Sequence, residues 1–405
     1  MALLDSSGHI NHEYKLYFLL FAVVQGWLVF NVLFILLDGR VGGPQTRIIR
    51  TAPDLRKHGI DTCLMVPDTN TDLEYLAKEN RVAVKVTPIL PLSGCRSAPR
   101  VFSMLLKLIS SIWSLKKYLE QQDGQVVVIH GGFFVQAALA SKFAGKRIIW
   151  FLNDTSLSEK LTLPMSWLIR SLSSTVIVQG ERVRVHYHIP NKNIYELYTP
   201  TTLRVTDKEK RMKSNCINIG MLGNWSPVKD LLLFVRTIAE LRNITKKKVA
   251  VSITGKKLKT QHLYVQKVEN EIKKLGLEEI IDINEFTFDV VGFYEQIDIL
   301  LLTSKSEASP GIVSEAMSQG VPVVSTNVGS VPDMISRREE HSAGIVVNDS
   351  SPKNMALAII DICKDDATYE AFSRAGKQKC KEELNAAEYA KQFANIVKST
   401  ICELP

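Results

Sequence analysis

Glu307 and Glu315 stand eight residues apart in the stretch Ser304 to Ile335, SKSEASPGIVSEAMSQGVPVVSTNVGSVPDMI. A Pro310-Gly311 turn between them opens a helical pattern, and an apolar run, Ile299 to Leu302, ends just before the first glutamate. Gly311 lets a ligand approach the backbone, and the unpaired N–H groups of a new helix favour an anion. A carboxylate accepts hydrogen bonds from two vicinal hydroxyls. Two carboxylates flanking a phosphate-favouring helix end therefore suit a ligand built as sugar, diphosphate and ribose. An isolated pair at this spacing would be read as a loop glutamate and a solvated helix glutamate. The strand, turn, helix and strand around this pair favour chemistry.

Other loops follow apolar runs in the same way. Gly39-Arg40-Val41-Gly42-Gly43-Pro44 lies between a strand-like run and the helical pattern Thr46 to Lys57, so Gly42 and Gly43 either line a ligand or simply turn the chain. The spacing is not G-x-G-x-x-G, which gives a nicotinamide cofactor little support. His130-Gly131-Gly132 ends the run VVVI, and Asn153-Asp154 follows IIWF. His130 reads either as a structural histidine or as a site residue, and Asp154 either as a site residue or as a cap for the next segment.

These loops need a frame of parallel strands with helices on both faces. In the first half the strand candidates are Val32–Leu37, Thr62–Val66, Val82–Val86, Val126–Ile129, Ile148–Phe151, Thr175–Val178 and Tyr195–Tyr198. A polar stretch from Thr201 to Asn215 interrupts them. The pattern restarts with Ile217–Met221, Val249–Ile253, Ile280–Ile283, Ile299–Leu302, Val321–Ser325 and Ile345–Val347, and helical segments close the chain from Pro352 to Cys402. The expected fold class is α/β, with two doubly wound Rossmann-like domains facing across a cleft. The expected divisions are 1–30, an apolar extension or anchor; 31–205, an acceptor-side domain; 206–384, a nucleotide-sugar-binding domain; and 385–405, a helix crossing back to the first domain.

The Glu307-to-Glu315 segment resembles the E-x7-E segment of retaining glycosyltransferases of GT-B fold, the "group 1" or family-four class. The resemblance is tightest over Ile217 to Val347 and continuous from about Asn31. It implies that Glu307 contacts hydroxyls of the donor sugar and that Glu315 holds the ribose. The backbone of Ser309, Pro310, Gly311, Ile312 and Val313 would meet the diphosphate. It places Gly42 and Gly43 toward the donor phosphates, His130 close to the donor sugar and Asp154 on the acceptor side. The segment Gly220 to Asp230, GMLGNWSPVKD, resembles the family's Arg…Lys-Gly loop, whose cations neutralise a departing diphosphate. Lys229 matches. Asn224 stands where the family has arginine, with Lys256 or Lys257 as candidate substitutes, and Asp230 stands in place of a glycine. Asn153 also departs from the family's His-Asp pair. The catalytic set implied is His130, Lys229 and Glu307. No D-x-D triplet occurs, so metal-independent transfer is expected, with a nucleotide-diphosphate sugar as co-substrate and no cofactor.

The implied function is retaining transfer of a sugar to an acceptor hydroxyl of a glycan or lipid-linked acceptor, in surface polysaccharide or glycolipid assembly. A GT-B sugar-nucleotide epimerase or phosphorylase is a second reading. A catalytically weak relative that binds nucleotide sugar or a partner protein is a third, kept open by Asn224 and Asn153.

The chain has 405 residues, 45% of them hydrophobic and 23% charged, with a formal net charge of +8. Such a basic balance suits phosphates and an anionic membrane surface. Nothing in the spacing of its cysteines or basic residues supports nucleic acid. Six scattered cysteines without C-x2-C spacing read as free thiols in a reducing compartment. Leu16 to Leu37 carries no charge and is long enough to span a membrane, yet its last part, NVLFILL, also reads as the first strand. If the strand holds those residues, Leu16 to Phe30 is about 22 Å of helix, short of the bilayer core. It would then be an interfacial anchor or an extension. Arg40, Arg47, Arg50, Arg56 and Lys57 lie on its C-terminal side and place the body in the cytoplasm, at the inner face of the membrane. The helical stretch Ala98 to Leu119 is read either as lying on that surface or as an ordinary core helix.

Overall fold

A computed structural model describes residues 29–89, 98–155, 157–191, 194–210, 212, 215–285, 290–336 and 342–402, with backbone alone over 98–106. The first sheet contains β1 (Phe30–Ile35), β2 (Ile60–Val66), β3 (Ala83–Val86), β4 (Val126–His130), β5 (Arg147–Leu152), β6 (Thr175–Val178) and β7 (Ile194–Glu196), in the order β3-β2-β1-β4-β5-β6-β7. The second contains β8 (Cys216–Leu222), β9 (Lys248–Thr254), β10 (Ile281–Asn284), β11 (Ile299–Leu302), β12 (Val323–Thr326) and β13 (Gly344–Val347), in the order β10-β9-β8-β11-β12-β13. Each expected strand is present, displaced by at most two residues at an end. Every pairing within the sheets is parallel.

Continuous apolar runs explain this architecture. All residues of β4 and β11 are buried, as strands covered by helices on both faces must be. Val32 to Ile35 pairs with both β2 and β4, so this part of the apolar N-terminal run is a strand and not a membrane span. The rest of the proposed anchor, up to residue 28, lies outside the described residues. Among the described residues no helix is long and apolar enough to cross a membrane. Of the thiols, Cys63, Cys216, Cys363, Cys380 and Cys402 are free, and Cys95 lies outside the described residues.

In each sheet the strand order reverses beside the first strand, between β1 and β4 and between β8 and β11. Loops leaving the carboxyl ends of strands at such a switch point form a crevice. Four of the loops singled out above, after β1, β4, β8 and β11, are those at the two switch points, and the fifth, Asn153-Asp154, follows β5.

The chain crosses between the sheets twice, side by side. Thr201 donates its N–H to the Leu384 carbonyl at 2.7 Å and bridges to Asn385. The helix Ala386–Cys402 then packs on the first sheet, where Phe393 stacks on Phe34 with centroids 5.6 Å apart. Thr400 meets Thr175 of β6 at 2.7 Å between hydroxyl oxygens.

Candidate active site

Both sheets contribute to one cavity of about 440 Å³, within the usual range for a small-molecule site. The second sheet supplies one wall. The strand β11 ends at Leu302, and the loop beyond it carries Glu307 to the mouth of the helix Gly311–Ser318. Glu307 accepts from Lys229 Nζ at 2.5 Å and from Ser304 Oγ at 2.6 Å. Lys229 comes from the loop after β8, which is fastened to the loop after β11. Thr303 Oγ1 donates to the Lys229 carbonyl at 3.0 Å, and the Lys305 N–H donates to the Val228 carbonyl at 2.8 Å. Asp230 has φ 44°, a left-handed conformation that glycine adopts freely and aspartate tolerates, so its place in a glycine position is accommodated. Its side chain also caps the next helix at Leu233.

Gly311, Ile312 and Pro310 line the cavity at the helix start, where no side chain caps the helix and no acidic residue occupies the first turn. Amides there are unpaired within the helix and suit an anion. Val313 departs from expectation. Its side chain is fully buried in the second domain's core, and its N–H donates to the Pro310 carbonyl at 3.0 Å. Ser309 lines the cavity, but its hydroxyl is engaged, accepting from the Thr199 N–H at 2.7 Å.

Glu315 reaches the cavity one turn into this helix. Tyr294 donates its hydroxyl to Glu315 Oε2 at 3.0 Å, and Arg50 Nη1 lies 3.8 Å from Oε1. Burial raises the Glu315 pKa, while Arg50 and the Tyr294 bond pull it back. The buried Tyr294 phenol is raised well above its ordinary value, first by burial and then by the Glu315 charge, so it stays a donor.

The opposite wall is the glycine loop and the helix Gly43–Lys57, whose N-cap is Gly42. Gly42 and Gly43 line the cavity, but the sterically constrained glycine of this loop is Gly39. A Cβ there would fall 1.9 Å from the Asp68 carbonyl oxygen, whereas a Cβ on Gly43 would meet nothing within 4 Å. Arg47 and Arg50 of the same helix also line the cavity. Arg47 is 4% exposed.

His130 is not brought to the cavity. It sits buried at the end of β4, stacked on Phe151 with centroids 4.8 Å apart, and its Nδ1 faces Arg47 Nη2 at 3.3 Å. Burial first, and the Arg47 charge second, hold its pKa well below the usual histidine value. Asp154 is also behind the wall, accepting from Tyr187 at 3.4 Å, and its neighbour Asn153 lines the cavity instead, with a buried Oδ1 that has no partner. Of the aromatic pair beyond His130, Phe134 is core and Phe133 is 45% exposed.

Asn224 lines the cavity and is exposed. Neither proposed substitute reaches it. Lys256 Nζ lies 3.3 Å from Asp72 of the first domain, and Lys257 lies over the Trp225 ring while pairing with Glu269 at 2.7 Å. The residues that sequence reasoning missed as site residues are Arg47, Arg50, Tyr294, Thr199 and Gln179.

Residues 204–379, the span holding the second sheet, match the family described as Glycosyl transferases group 1. The second domain thus carries the group 1 glycosyltransferase match, and the chain as a whole has the GT-B architecture of two Rossmann-like domains across a cleft, that of an enzyme of the glycosyl-transferring class. It is similar to a D-inositol 3-phosphate glycosyltransferase of Corynebacterium aurimucosum, 21% identical over 400 residues that cover 90% of this chain and 91% of that one. It is 22% identical over 240 residues to the lipopolysaccharide core biosynthesis mannosyltransferase LpsB of Rhizobium meliloti, covering 58% of this chain and 67% of that one. Among solved structures, Anabaena HepE in complex with UDP and glucose superposes with a TM-score of 0.71 at 17% identity, covering 91% of this chain and 99% of that one.

Proposed function

We propose that the enzyme transfers a hexosyl-type sugar from a nucleotide-diphosphate sugar to an acceptor hydroxyl with retention of configuration. The observation that carries this reading is the lining-up of Glu315, the open helix end at Gly311, Lys229 and Glu307 along one wall of a single cavity. That order matches ribose, diphosphate and sugar. HepE, solved with UDP and glucose, supports a nucleotide sugar as donor.

In this reading the bond from the sugar's anomeric carbon to the phosphate oxygen breaks, and its electron pair stays with the diphosphate. Lys229 and the helix end meet that charge, so no metal is required. The acceptor oxygen forms the new bond on the same face, and its proton passes to the departing phosphate oxygen. Glu307 holds sugar hydroxyls and, paired with Lys229, is itself held in place. The acceptor enters from the first domain, near Gly42, Gly43 and Asn153.

Relatives such as LpsB support a place in polysaccharide or glycolipid assembly. A membrane-linked acceptor agrees with exposed Leu163 and Trp167, at 64% and 68% exposure, on the helix that also carries the basic Lys160 and Arg170, and with exposed Trp113 beside Lys116. Calorimetric titration of UDP, GDP, ADP and their sugar conjugates into wild type and Glu315→Ala tests the donor site. Selective binding of one nucleotide, lost in the variant, is expected. A folded wild type that binds none of them would sink the reading.

A further inference from the structure

Three cations line the cavity, and two of them face carboxylates. Lys229 meets Glu307 at 2.5 Å, and Arg50 lies 3.8 Å from Glu315. Arg47 is the most deeply buried of the three and, among the described residues, forms no ion pair. Its guanidinium faces Thr199 Oγ1 at 3.4 Å and His130 Nδ1 at 3.3 Å, and lies 4.4 Å from the centre of the Phe151 ring. Its Nε–H is buried and has no acceptor. A guanidinium does not give up its proton in proteins, and burying that charge without an anion is expensive. An arrangement of this kind, opening on a cavity, is suited to receive an anion.

The anion's place follows from Thr199. That residue receives Arg47 and Gln179 on its hydroxyl, with Gln179 Nε2 at 2.9 Å, and donates its N–H to Ser309 Oγ at 2.7 Å. Its γ-methyl carbon lies 3.3 Å from the point where a Cβ on Gly311 would begin. One residue therefore separates the Arg47 guanidinium from the open end of the helix Gly311–Ser318. Asn224, also lining the cavity, is uncharged.

We propose that Arg47 is the second cation for the leaving diphosphate, supplied from the first-domain wall of a cavity whose Asn224 carries no charge. The assignment rests on the donor site proposed above. His130 is then a positioning residue. Because arginine can only donate, the histidine's Nδ1 must accept, and the neutral ring fixes the plane of the guanidinium.

The test compares wild type, Arg47→Met, Arg47→Lys and the double variant Arg47→Met with Asn224→Arg. Each is titrated with the nucleoside diphosphate that wild type binds and with the monophosphate of the same base. Arg47→Met should lose about tenfold or more in diphosphate affinity, the worth of one charge-assisted hydrogen bond. It should lose little toward the monophosphate, and Asn224→Arg should recover much of the loss. Its melting temperature should not fall, since an unpaired buried charge has been removed; a purely structural Arg47 would lower it. Should the methionine variant fail to fold, Arg47→Lys decides, and retained diphosphate over monophosphate preference supports the assignment. Unchanged diphosphate affinity in folded Arg47→Met overturns it. So does a defect that appears only in acceptor KM, which would assign the anion to the acceptor. If wild type binds no nucleoside diphosphate, the donor site itself fails, a distinct result.

Discussion

Replacing Glu315 by glutamine should cost nucleotide affinity without costing stability. The carboxylate's side chain is 14% exposed and its pKa is raised, chiefly by burial. A carboxyl with a raised folded pKa stabilises the fold fully below its unfolded pKa, and that contribution is lost as pH rises through the folded pKa. At neutral pH the ionised Glu315 is thus a burden on the folded state. Glutamine has the same shape, still accepts from Tyr294, and carries no charge to desolvate. Ligand binding changes in the opposite direction. A hydrogen bond to a charged acceptor contributes about 1.5–3 kcal/mol, against about 0.5–1.5 for a neutral one. For two ribose hydroxyls the loss is about 2–3 kcal/mol, or roughly 30- to 150-fold in Kd. Titration calorimetry at neutral and mildly acidic pH, with thermal melts alongside, measures both. Wild-type affinity should fall on acidification as Glu315 takes up its proton, earlier than an ordinary glutamate would. The variant's affinity should be flatter with pH. Glu315→Gln binding within threefold of wild type, or sharing its full pH dependence, would refute the reasoning.

Phe393→Ala should destabilise the first domain by about 3–5 kcal/mol, since a fully buried ring stacked on Phe34 is removed; denaturant unfolding followed by fluorescence reads this directly. Lys229→Met should reduce turnover about 100-fold or more with a smaller change in donor KM, because its cation is needed most when the diphosphate departs; steady-state kinetics on the donor identified by calorimetry checks the split. Gly39→Ala places a Cβ against the Asp68 carbonyl and should cost about 1–3 kcal/mol, seen as a lowered melting temperature, together with weaker donor binding as the glycine loop shifts.

The strands were legible because parallel strands buried on both faces are written as apolar runs with few competing readings. The loops at the switch points were legible for the same reason, since they begin where those runs end. Side-chain direction at the run's last residue was not. Asp154 sits beside the cavity-facing Asn153, where a turn of one residue exchanges inside for outside, and His130 turns into the core against Phe151. Arg47 and Arg50 lie three residues apart on one helix face, next to the core positions Ile48, Ile49, Ala52 and Leu55. Helical spacing put them together, but nothing local says that a second domain lies across from them. Tyr294 and Thr199 belong to the site only through contacts between segments distant in sequence, with Glu315 and with Ser309.

The helix Ala386–Cys402 completes the core of a sheet whose first strand begins at Phe30. During synthesis the second sheet and its helices, from Cys216 to Glu382, can close on themselves while the first sheet still lacks a layer. The roughly 350 residues between Phe34 and its partner Phe393 take about 20–70 s to emerge at ribosomal speeds. The later half can thus settle before the earlier one is complete. Until its last helix arrives, the nascent first domain leaves the ring of Phe34 without its cover, and with it the floor beneath the helix that carries Arg47 and Arg50. A chain cut before Ala386 would hold a closed second sheet beside a first sheet whose core lies open.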